Sequence, residues 1–482
     1  MKKKDIIKRI IVVAMLFTIF FMVPYNHDEW AWGTDAGIRY LRNFFQGYNG
    51  RYFGDILSLL ITRSNFFKAF FMTVVTLGVY LSIKKFYGVL KSNDENREFV
   101  LLCTFLLLLM VPTVLFRQIY GWPAAFVNFV PPVIFVILYL QSIYCYVIKK
   151  QTKEAYLISG ILISLGTQFF SENVTIFMLV LSLSILVIEK MINKKNTRFV
   201  IGATVSALLG TIVMFVNPAY LNAANNTDGY KKIELSFSFI WNKISSQILP
   251  NMILNYKFLF IIFNLGLLLL CFKKNRNLNF WSKSSIVLTI TYFIYGIFFY
   301  GQMKFSFQYE NTIVNLFSIA YFISLLKIFS IVFSGRILLF NLIIFISIPF
   351  SAAPLIMAEP IGPRSFFLTY CLFILFTGII YFELLEGINI SKDFYRLMKS
   401  GITVSIVSML VFYLLIFGYM YKVQLQRENL IEESIKTNKT EIVLPILPNG
   451  NYTWKTSAEP GDWLVKFKKF YGIPADKNVI FK

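Results

Sequence analysis

The chain has 482 residues, of which 57% are hydrophobic, 18% are aromatic and only 15% are charged. This balance lies far outside that of soluble domains and excludes a soluble globular protein. The formal net charge of +22 does not indicate nucleic acid as a partner, because Lys and Arg cluster in the short segments between apolar runs, as in the positive-inside pattern of membrane proteins. We therefore expect an all-α polytopic membrane protein.

The N-terminal region predicts one membrane span and a long outer loop. A basic segment precedes an apolar run at about 10–23 without a small-residue cleavage site after it, so we expect an uncleaved first helix and a cytoplasmic N-terminus. The next apolar run, at about 66–83, ends in two lysines and returns the chain to the cytoplasm. Residues 25–65 then lie outside, and helical spacing of apolar residues over 38–61 predicts amphipathic helices at the membrane surface.

The remaining apolar runs each approach the ~20 residues that a bilayer core requires. They cover about 98–116, 126–147, 155–170, 174–192, 199–216, 256–272, 283–301, 311–332, 336–353, 365–385 and 401–420. The total is about thirteen transmembrane helices. An odd number places the C-terminus outside, together with the polar segments at 117–125, 171–173, 217–255, 302–310 and 354–364.

The hydrophilic segment 421–482 predicts a small extracytoplasmic tail or cap behind a membrane domain at 1–420. Two short runs of strand composition and two turn signals indicate that it folds. They lie at 441–444, 478–481, 448–450 and 459–461. The alternative is a disordered end, which the aromatic content, including Trp454 and Trp463, disfavours.

Acidic residues follow the first span directly. Asp28 and Glu29 stand among tryptophans, Asp35 follows, and Arg51 lies further along the same loop. Ionisable groups near hydrocarbon are costly unless they face a cavity or a partner, so we predict a functional site here. The alternative is an aromatic belt with hydrated acids beside it.

The same Glu-Asn pair occurs at two outer turns. Glu172-Asn173 and Glu310-Asn311 each stand where the chain re-enters the membrane. Either pair alone is explained by helix capping. Two pairs on one face predict a polar cavity that they share.

Two arginines lie on the face where the positive-inside pattern disfavours them. Arg117 lies at the outer end of the span at 98–116, close to Trp122, and Arg364 precedes the span at 365–385. Headgroup anchoring is one explanation. The other is a phosphate site, since the planar guanidinium matches phosphate oxygens bidentately.

No metal site is predicted. His27 is the one histidine of the chain, and the four cysteines fall within apolar runs without ligand spacing. The acids at 28–29 also lack an Asp-x-Asp spacing. The alternative is one divalent cation held by Asp28 and Asp35.

This order of features resembles the GT-C superfamily of membrane glycosyltransferases, in which a first span is followed by an outer loop that opens with acids. Several short motifs are more closely similar to a family of bacterial multispanning glucosyltransferase-like proteins found among cell-surface polysaccharide genes. The motifs are Asn26-His27-Asp28-Glu29-Trp30, Asn49-Gly50-Arg51-Tyr52, Glu172-Asn173 and Gly362-Pro363-Arg364. The resemblance covers the whole membrane part, and its specificity rests on the order and sidedness of these motifs.

The resemblance implies transfer of a sugar, with inversion, from a polyprenyl-phosphate donor to a cell-surface glycan acceptor at the outer face of a bacterial plasma membrane. It implies Asp28 as the general base, with Glu29 as the alternate, and Arg117 and Arg364 as donor-phosphate ligands. Contacts to sugar or acceptor are implied for a further set of residues. They are Asp35, Arg51, Trp122, Glu172, Asn173, Glu310 and Asn311.

Other classes share several of these features. A polysaccharide polymerase or ligase has a similar number of spans and a large outer loop. A flippase for lipid-linked glycans requires charged or broken helices near the membrane midplane, and Lys327 is the main charge within a span. A non-catalytic scaffold differs from all of these by lacking turnover.

Overall fold

The computed structural model is built almost entirely from helices, as the apolar runs predict. It describes residues 3–90, 94–149, 154–193, 198–225, 227, 232–233, 236–274, 279–300, 310–388 and 391–482. The first helices are α1 (Lys3–Met22), α2 (Asp28–Trp32), α3 (Asp35–Arg42), α4 (Tyr52–Ile61), α5 (Asn65–Val89), α6 (Asp94–Leu109), α7 (Thr113–Ile119), α8 (Pro123–Phe129), α9 (Pro131–Ile143), α10 (Glu154–Thr167), α11 (Glu172–Asn193), α12 (Arg198–Phe215) and α13 (Pro218–Ala224).

The second half continues the same pattern. Its helices are α14 (Phe237–Lys243), α15 (Lys257–Lys274), α16 (Phe280–Ile294), α17 (Glu310–Val332), α18 (Gly335–Ala352), α19 (Phe367–Leu385), α20 (Lys392–Lys436) and α21 (Asp462–Phe470). Short π-helical segments lie at Tyr144–Ile148, Ile244–Ile248, Pro250–Leu254 and Tyr295–Phe299, and 3-10 turns at Ala353–Met357, Pro363–Phe366 and Gly450–Tyr452. Strand β1 (Lys232–Ile233) pairs antiparallel with β2 (Ala358–Glu359), and β3 (Glu441–Leu444) pairs parallel with β4 (Asn478–Phe481).

Within the described residues, nine helices are long and apolar enough to cross a bilayer, or eleven when two bent pairs each count as one span. The multi-pass, all-α membrane architecture is therefore confirmed, whereas about thirteen spans are not. The predicted runs at 10–23 and 155–170 do form helices. However, α1 begins with a charged segment, and α10 has only 14 residues.

The bent pairs place helix in segments that the sequence assigns wholly or partly to the outer face, and for 217–255 it predicts a turn followed by an amphipathic surface helix. Helices α6 and α7 meet at 77°, because Pro112 between them has no N–H to continue the helix. The segment Phe237–Leu254 forms a helix that joins α15 at 68°. The outer segment predicted at 217–255 is thus largely helical where it is described, and part of it is apolar enough to belong to a span.

Polar contacts bring several of the predicted outer segments to one end of the bundle, which we call the loop end. Arg51 of the first loop binds Glu172 at the start of α11, with Nη2 and Oε2 2.7 Å apart. Asn173 Nδ2 donates to the Ser365 carbonyl oxygen over 3.0 Å. These contacts match the grouping of segments that the charge pattern predicts.

Basic residues form ion pairs with glutamates at the opposite end of the helical bundle. Lys399 Nζ and Glu98 Oε1 are 2.6 Å apart, and Lys274 Nζ and Glu383 Oε2 are 3.1 Å apart. Lysines and arginines predicted to be cytoplasmic therefore lie away from the loop end. Which of the two ends faces the cytoplasm stays a prediction.

The tail folds onto the loop end. Helix α20 runs for 45 residues, which rise about 67 Å and exceed twice the ~30 Å of a hydrocarbon core. It continues past residue 420, so the compact part, which we call the C-terminal cap, is 437–482. Strands β3 and β4 coincide with the two predicted runs, and the Trp30 ring of the first loop packs against Phe467 of α21 with centroids 5.1 Å apart. The described residues of this segment are folded, and the compact part begins at residue 437.

The shared location of loop and cap predicts one labelling pattern. Single cysteines at the exposed positions Gln46 and Gly450, in a background with the native cysteines changed to serine, should both react with a membrane-impermeant maleimide on intact cells. A cysteine at the exposed Asp393, at the opposite end, should react only after permeabilisation. Labelling of just one of the first two would contradict the packing of cap on loop, and labelling of Asp393→Cys alone would reverse the predicted orientation.

Candidate functional site

Asp28 is the acid of the first loop that stays accessible beside a fixed partner. Its side chain is 33% exposed, and its Oδ1 lies 3.0 Å from His27 Nδ1. His27 has a φ of 29°, a conformation that residues other than glycine rarely adopt and that costs energy. The His27 ring stacks on Trp463 of the cap with centroids 3.5 Å apart. The carboxylate is therefore held at the start of α2 while remaining open to solvent.

Glu29 has a different environment. It is fully buried, its Oε2 accepts from the Asn26 N–H over 2.9 Å, and its Oε1 accepts from the Ala124 N–H over 2.5 Å. Burial raises the pKa of Glu29 to about 8, although the two backbone donors oppose the shift. Oε1 joins α2 to the first turn of α8, and Oε2 binds the turn that precedes α2. The geometry favours Asp28 over Glu29 as the reactive carboxylate and gives Glu29 a structural role.

Burial of Glu29 predicts a pH dependence of stability. The folded protein retains the proton up to a pKa of about 8, whereas an ordinary glutamate releases it near 4.5. The stability due to this group is therefore complete below pH 4.5 and lost as the pH rises through 8. Glu29→Gln, a neutral side chain of the same shape, should show a flatter dependence of Tm on pH in detergent. Parallel curves for variant and wild type would contradict the assignment.

Arg51 and Glu172 form the central ion pair of the loop end. Arg51 Nε donates to both Glu172 oxygens at 3.0 Å, and Nη2 donates to Oε2 at 2.7 Å. Burial lowers the pKa of Arg51, but the charge and hydrogen bonds of Glu172 outweigh it and raise the pKa above its ordinary value. The Tyr220 hydroxyl also donates to Glu172 Oε1 over 2.9 Å and accepts from the Gly50 N–H over 3.0 Å. The two side chains are 23% and 24% exposed, so the pair borders solvent.

Tyr48 marks the convergence of the first-loop charges. Burial raises the pKa of its hydroxyl well above the ordinary value, Asp28 and Asp55 raise it further, and Arg51 opposes them. Asp55, in α4, is only 2% exposed. The first-loop charges that act on Tyr48 therefore lie at the loop end. The His27 ring beside Asp28 also lies edge-on to Trp122, with centroids 6.4 Å apart, which joins the start of α2 to the turn before α8.

Three arginines and three aromatic rings form a continuous series of contacts across this site, which we call the arginine–aromatic ladder. Its members in order are Arg117, Trp454, Trp122, Arg364, Phe129 and Arg51. The Arg117 Cζ lies 5.2 Å from the Trp454 ring centroid. The Trp454 and Trp122 rings stack at 4.9 Å and 5°, and the Arg364 Cζ lies 4.6 Å from the Trp122 centroid. Two stacked indoles thus separate two guanidinium groups.

The ladder continues through Phe129. The Arg364 Cζ lies 5.9 Å from its ring centroid and the Arg51 Cζ 5.7 Å. Gln118 Oε1 accepts from the Arg364 backbone N–H over 3.4 Å, and Asn173 binds the neighbouring Ser365 carbonyl. Five of the predicted residues, namely Arg51, Trp122, Glu172, Asn173 and Arg364, are therefore brought together around one aromatic surface.

The other predicted residues have partners of a different kind. Arg117 donates from Nε to the Thr453 carbonyl oxygen over 2.9 Å, so it holds the cap. Asp35 is exposed at the start of α3, and its charge acts on Arg63. Asn311 is exposed, and its Nδ2 donates to Asn242 Oδ1 over 3.3 Å, which places it at the contact of α14 with α17 instead of beside Asn173. The side chain of Glu310 lies outside the described part of the chain.

Several members of the site were not predicted. Tyr220 comes to Glu172 because Asn217, which caps α13, also donates from Nδ2 to the carbonyl oxygens of Phe45 and Asn49, over 3.0 and 2.7 Å. Phe129 is an aromatic residue within an apolar run, and nothing local distinguishes it. Trp454 could have been identified from the sequence, since a tryptophan in a hydrophilic tail requires a packing or hydrogen-bond partner.

Taken together, these residues place an accessible carboxylate and several guanidinium groups at one membrane boundary, an arrangement that can accept a proton and bind an anion. Within the described ranges, no three His, Cys, Asp or Glu side chains come together as a metal site.

Comparisons of the chain with protein-family models, curated proteins and solved structures find no match.

Proposed function

We propose that the chain is a membrane glycosyltransferase that moves a sugar from a polyprenyl-phosphate donor to a cell-surface glycan, at the outer face of a bacterial plasma membrane. The observation that supports it most is the placement of Asp28, one-third exposed, at the same loop end as Arg364 and the Arg51–Glu172 pair. The choice of a sugar on a lipid phosphate rests on the resemblance of the loop motifs to GT-C enzymes.

The reaction needs one proton acceptor. The acceptor hydroxyl attacks the anomeric carbon, its proton passes to Asp28, and the bond from that carbon to the phosphate oxygen breaks with inversion. His27, 3.0 Å from the carboxylate, fixes its orientation. Glu29 is unsuited to this role because both its oxygens are engaged inside the protein.

The leaving polyprenyl phosphate needs a cation whose position is fixed before the reaction. Arg364 suits this task because its guanidinium lies against the Trp122 ring, which restricts its plane, and has a 3.5 Å contact to Gln118. Glu172, which binds Arg51, and Asn173, which donates to the Ser365 carbonyl oxygen next to Arg364, are then the expected contacts to sugar hydroxyls.

The two bent helix pairs favour a transporter of lipid-linked glycans as the second candidate, because broken helices are typical of transporters. A transporter moves the whole lipid across the bilayer and leaves the sugar–phosphate bond intact. A polymerase or ligase cleaves the donor but joins two lipid-linked glycans. Product analysis separates the three.

The test uses the purified full-length chain in proteoliposomes with a panel of radiolabelled polyprenyl-phosphate hexoses and cell-wall glycan as acceptor. We expect release of polyprenyl phosphate and transfer of one label to the glycan, with Asp28→Asn proteoliposomes as the matched control. Translocation of intact donor without release would indicate the transporter. Label in a chain of lipid-linked repeats would indicate the polymerase.

A further inference from the structure

The cap contributes the middle of the arginine–aromatic ladder. Trp454 covers one face of Trp122 at 4.9 Å, and Arg364 lies on a face of the same Trp122 ring at 4.6 Å. Trp122 itself is 5% exposed. The orientation of the Arg364 guanidinium is therefore tied to a ring whose other contacts include the cap.

Trp454 is held firmly where it touches the membrane part. Its backbone N–H donates to the Gly121 carbonyl oxygen over 3.2 Å, and Arg117 donates to the carbonyl of the preceding Thr453. A Cβ on Gly121 would lie 1.9 Å from the Tyr452 carbonyl oxygen, so only glycine lets the two backbones approach this closely. The cap is thus docked by main-chain contacts on both sides of the stacked indoles.

We propose that Trp454 is a positioning residue, which fixes the plane of the Arg364 guanidinium through Trp122 and thereby sets the affinity for the phosphate of the lipid carrier. The nature of the ligand rests on the proposed function. The coupling between Trp454 and Arg364 through Trp122 rests on the ladder geometry alone.

The physical reason is the directionality of the guanidinium. Two parallel N–H bonds to a phosphate require the guanidinium plane to face the anion, and stacking on an indole restricts that plane. Offset-stacked ring pairs and cation–π contacts each contribute modestly. Loss of Trp454 should therefore weaken binding without removing any group from the phosphate.

The first experiment measures binding of radiolabelled polyprenyl monophosphate, without sugar, to the full-length protein in detergent. Trp454→Leu keeps apolar volume and removes the ring, and we expect Kd to rise by about 3- to 10-fold. Trp454→Phe restores a ring and should return Kd to within about twofold of wild type. The matched control is Phe470→Leu, which removes another cap ring, packed edge-on against Tyr25 with centroids 5.5 Å apart and outside the ladder, and should leave Kd unchanged.

The second experiment needs no ligand. In a double-mutant cycle, Trp454→Leu and Arg364→Met are combined, and we expect the loss of Tm in the double variant to be smaller than the sum of the single losses, since the positions are coupled through Trp122. Additive losses, or wild-type carrier binding by Trp454→Leu, would overturn the proposal. Equal weakening by Phe470→Leu would do so as well, because it would indicate general loosening of the cap. If the double-mutant cycle shows coupling but the wild-type protein binds no carrier, Trp454 still positions Arg364, and the proposed function is rejected.

Discussion

Asp28→Asn is expected to lower the rate of sugar transfer from the polyprenyl-phosphate donor by about 10²–10⁴-fold, the usual contribution of general base catalysis. Asparagine keeps the size and much of the hydrogen bonding of the side chain but does not accept the proton of the acceptor hydroxyl. Expression, Tm and binding of the carrier should stay close to wild type, because the Asp28 side chain is one-third exposed and its close polar contact among the described residues is with His27. Single-turnover transfer in proteoliposomes measures the effect.

The neighbouring acid is a built-in control. Glu29→Gln should keep transfer while changing the pH dependence of stability, since Glu29 is fully buried and binds backbone N–H groups of Asn26 and Ala124. Loss of transfer in Glu29→Gln with retention in Asp28→Asn would move the base by one residue. Retention in both variants would remove the base from the first loop and contradict the glycosyltransferase proposal.

The membrane architecture could be predicted because its cause is local. Each apolar run satisfies its backbone hydrogen bonds within its own helix, so hydropathy alone locates the helix. The count is not confirmed where length and charge are marginal, as in α1 and α10, and where helices bend. The bend after α6 has a visible cause in Pro112, whereas polar residues in Phe237–Leu254 assign that helix to the outer surface by hydropathy.

Individual residues of the candidate site could be predicted from the sequence, but the contacts between them could not. Arg51 and Glu172 are 121 residues apart in sequence, and no local pattern states that they bind each other. Sidedness limited the choice of partners, because it placed both residues on one face. The paired Glu-Asn motifs show the limit of that argument, since Asn173 reaches Ser365 while Asn311 reaches Asn242.

The interpretation of Arg117 shows a second limit. An arginine on the outer face requires a reason, and the sequence offered a phosphate. The structure supplies the Thr453 carbonyl oxygen and the Trp454 ring of the cap. A cap that lies more than 300 residues away in sequence is a partner that only the fold brings into reach.

Arg364→Lys is expected to reduce kcat/KM for transfer by about ten- to a hundredfold, which corresponds to about 1.5–3 kcal/mol for one charge-assisted contact. Lysine keeps the charge but lacks the planar fork that binds two phosphate oxygens and stacks on Trp122. Arg117→Lys is the matched control, because it makes the same chemical change at the other end of the stacked indoles, where the partner is the single Thr453 carbonyl. It should keep kcat/KM within about threefold, since one ammonium N–H can replace the one donor used there.

These two lysine variants separate three roles of Arg364. A large loss confined to Arg364→Lys supports the phosphate ligand, because only that role needs two donors in one plane. Equal losses in both variants would indicate that each arginine acts by holding the cap in place. Wild-type transfer by Arg364→Lys would leave Arg364 as an anchor for lipid headgroups, a role in which a point charge serves as well as a guanidinium, and the leaving phosphate would then need another cation at the loop end.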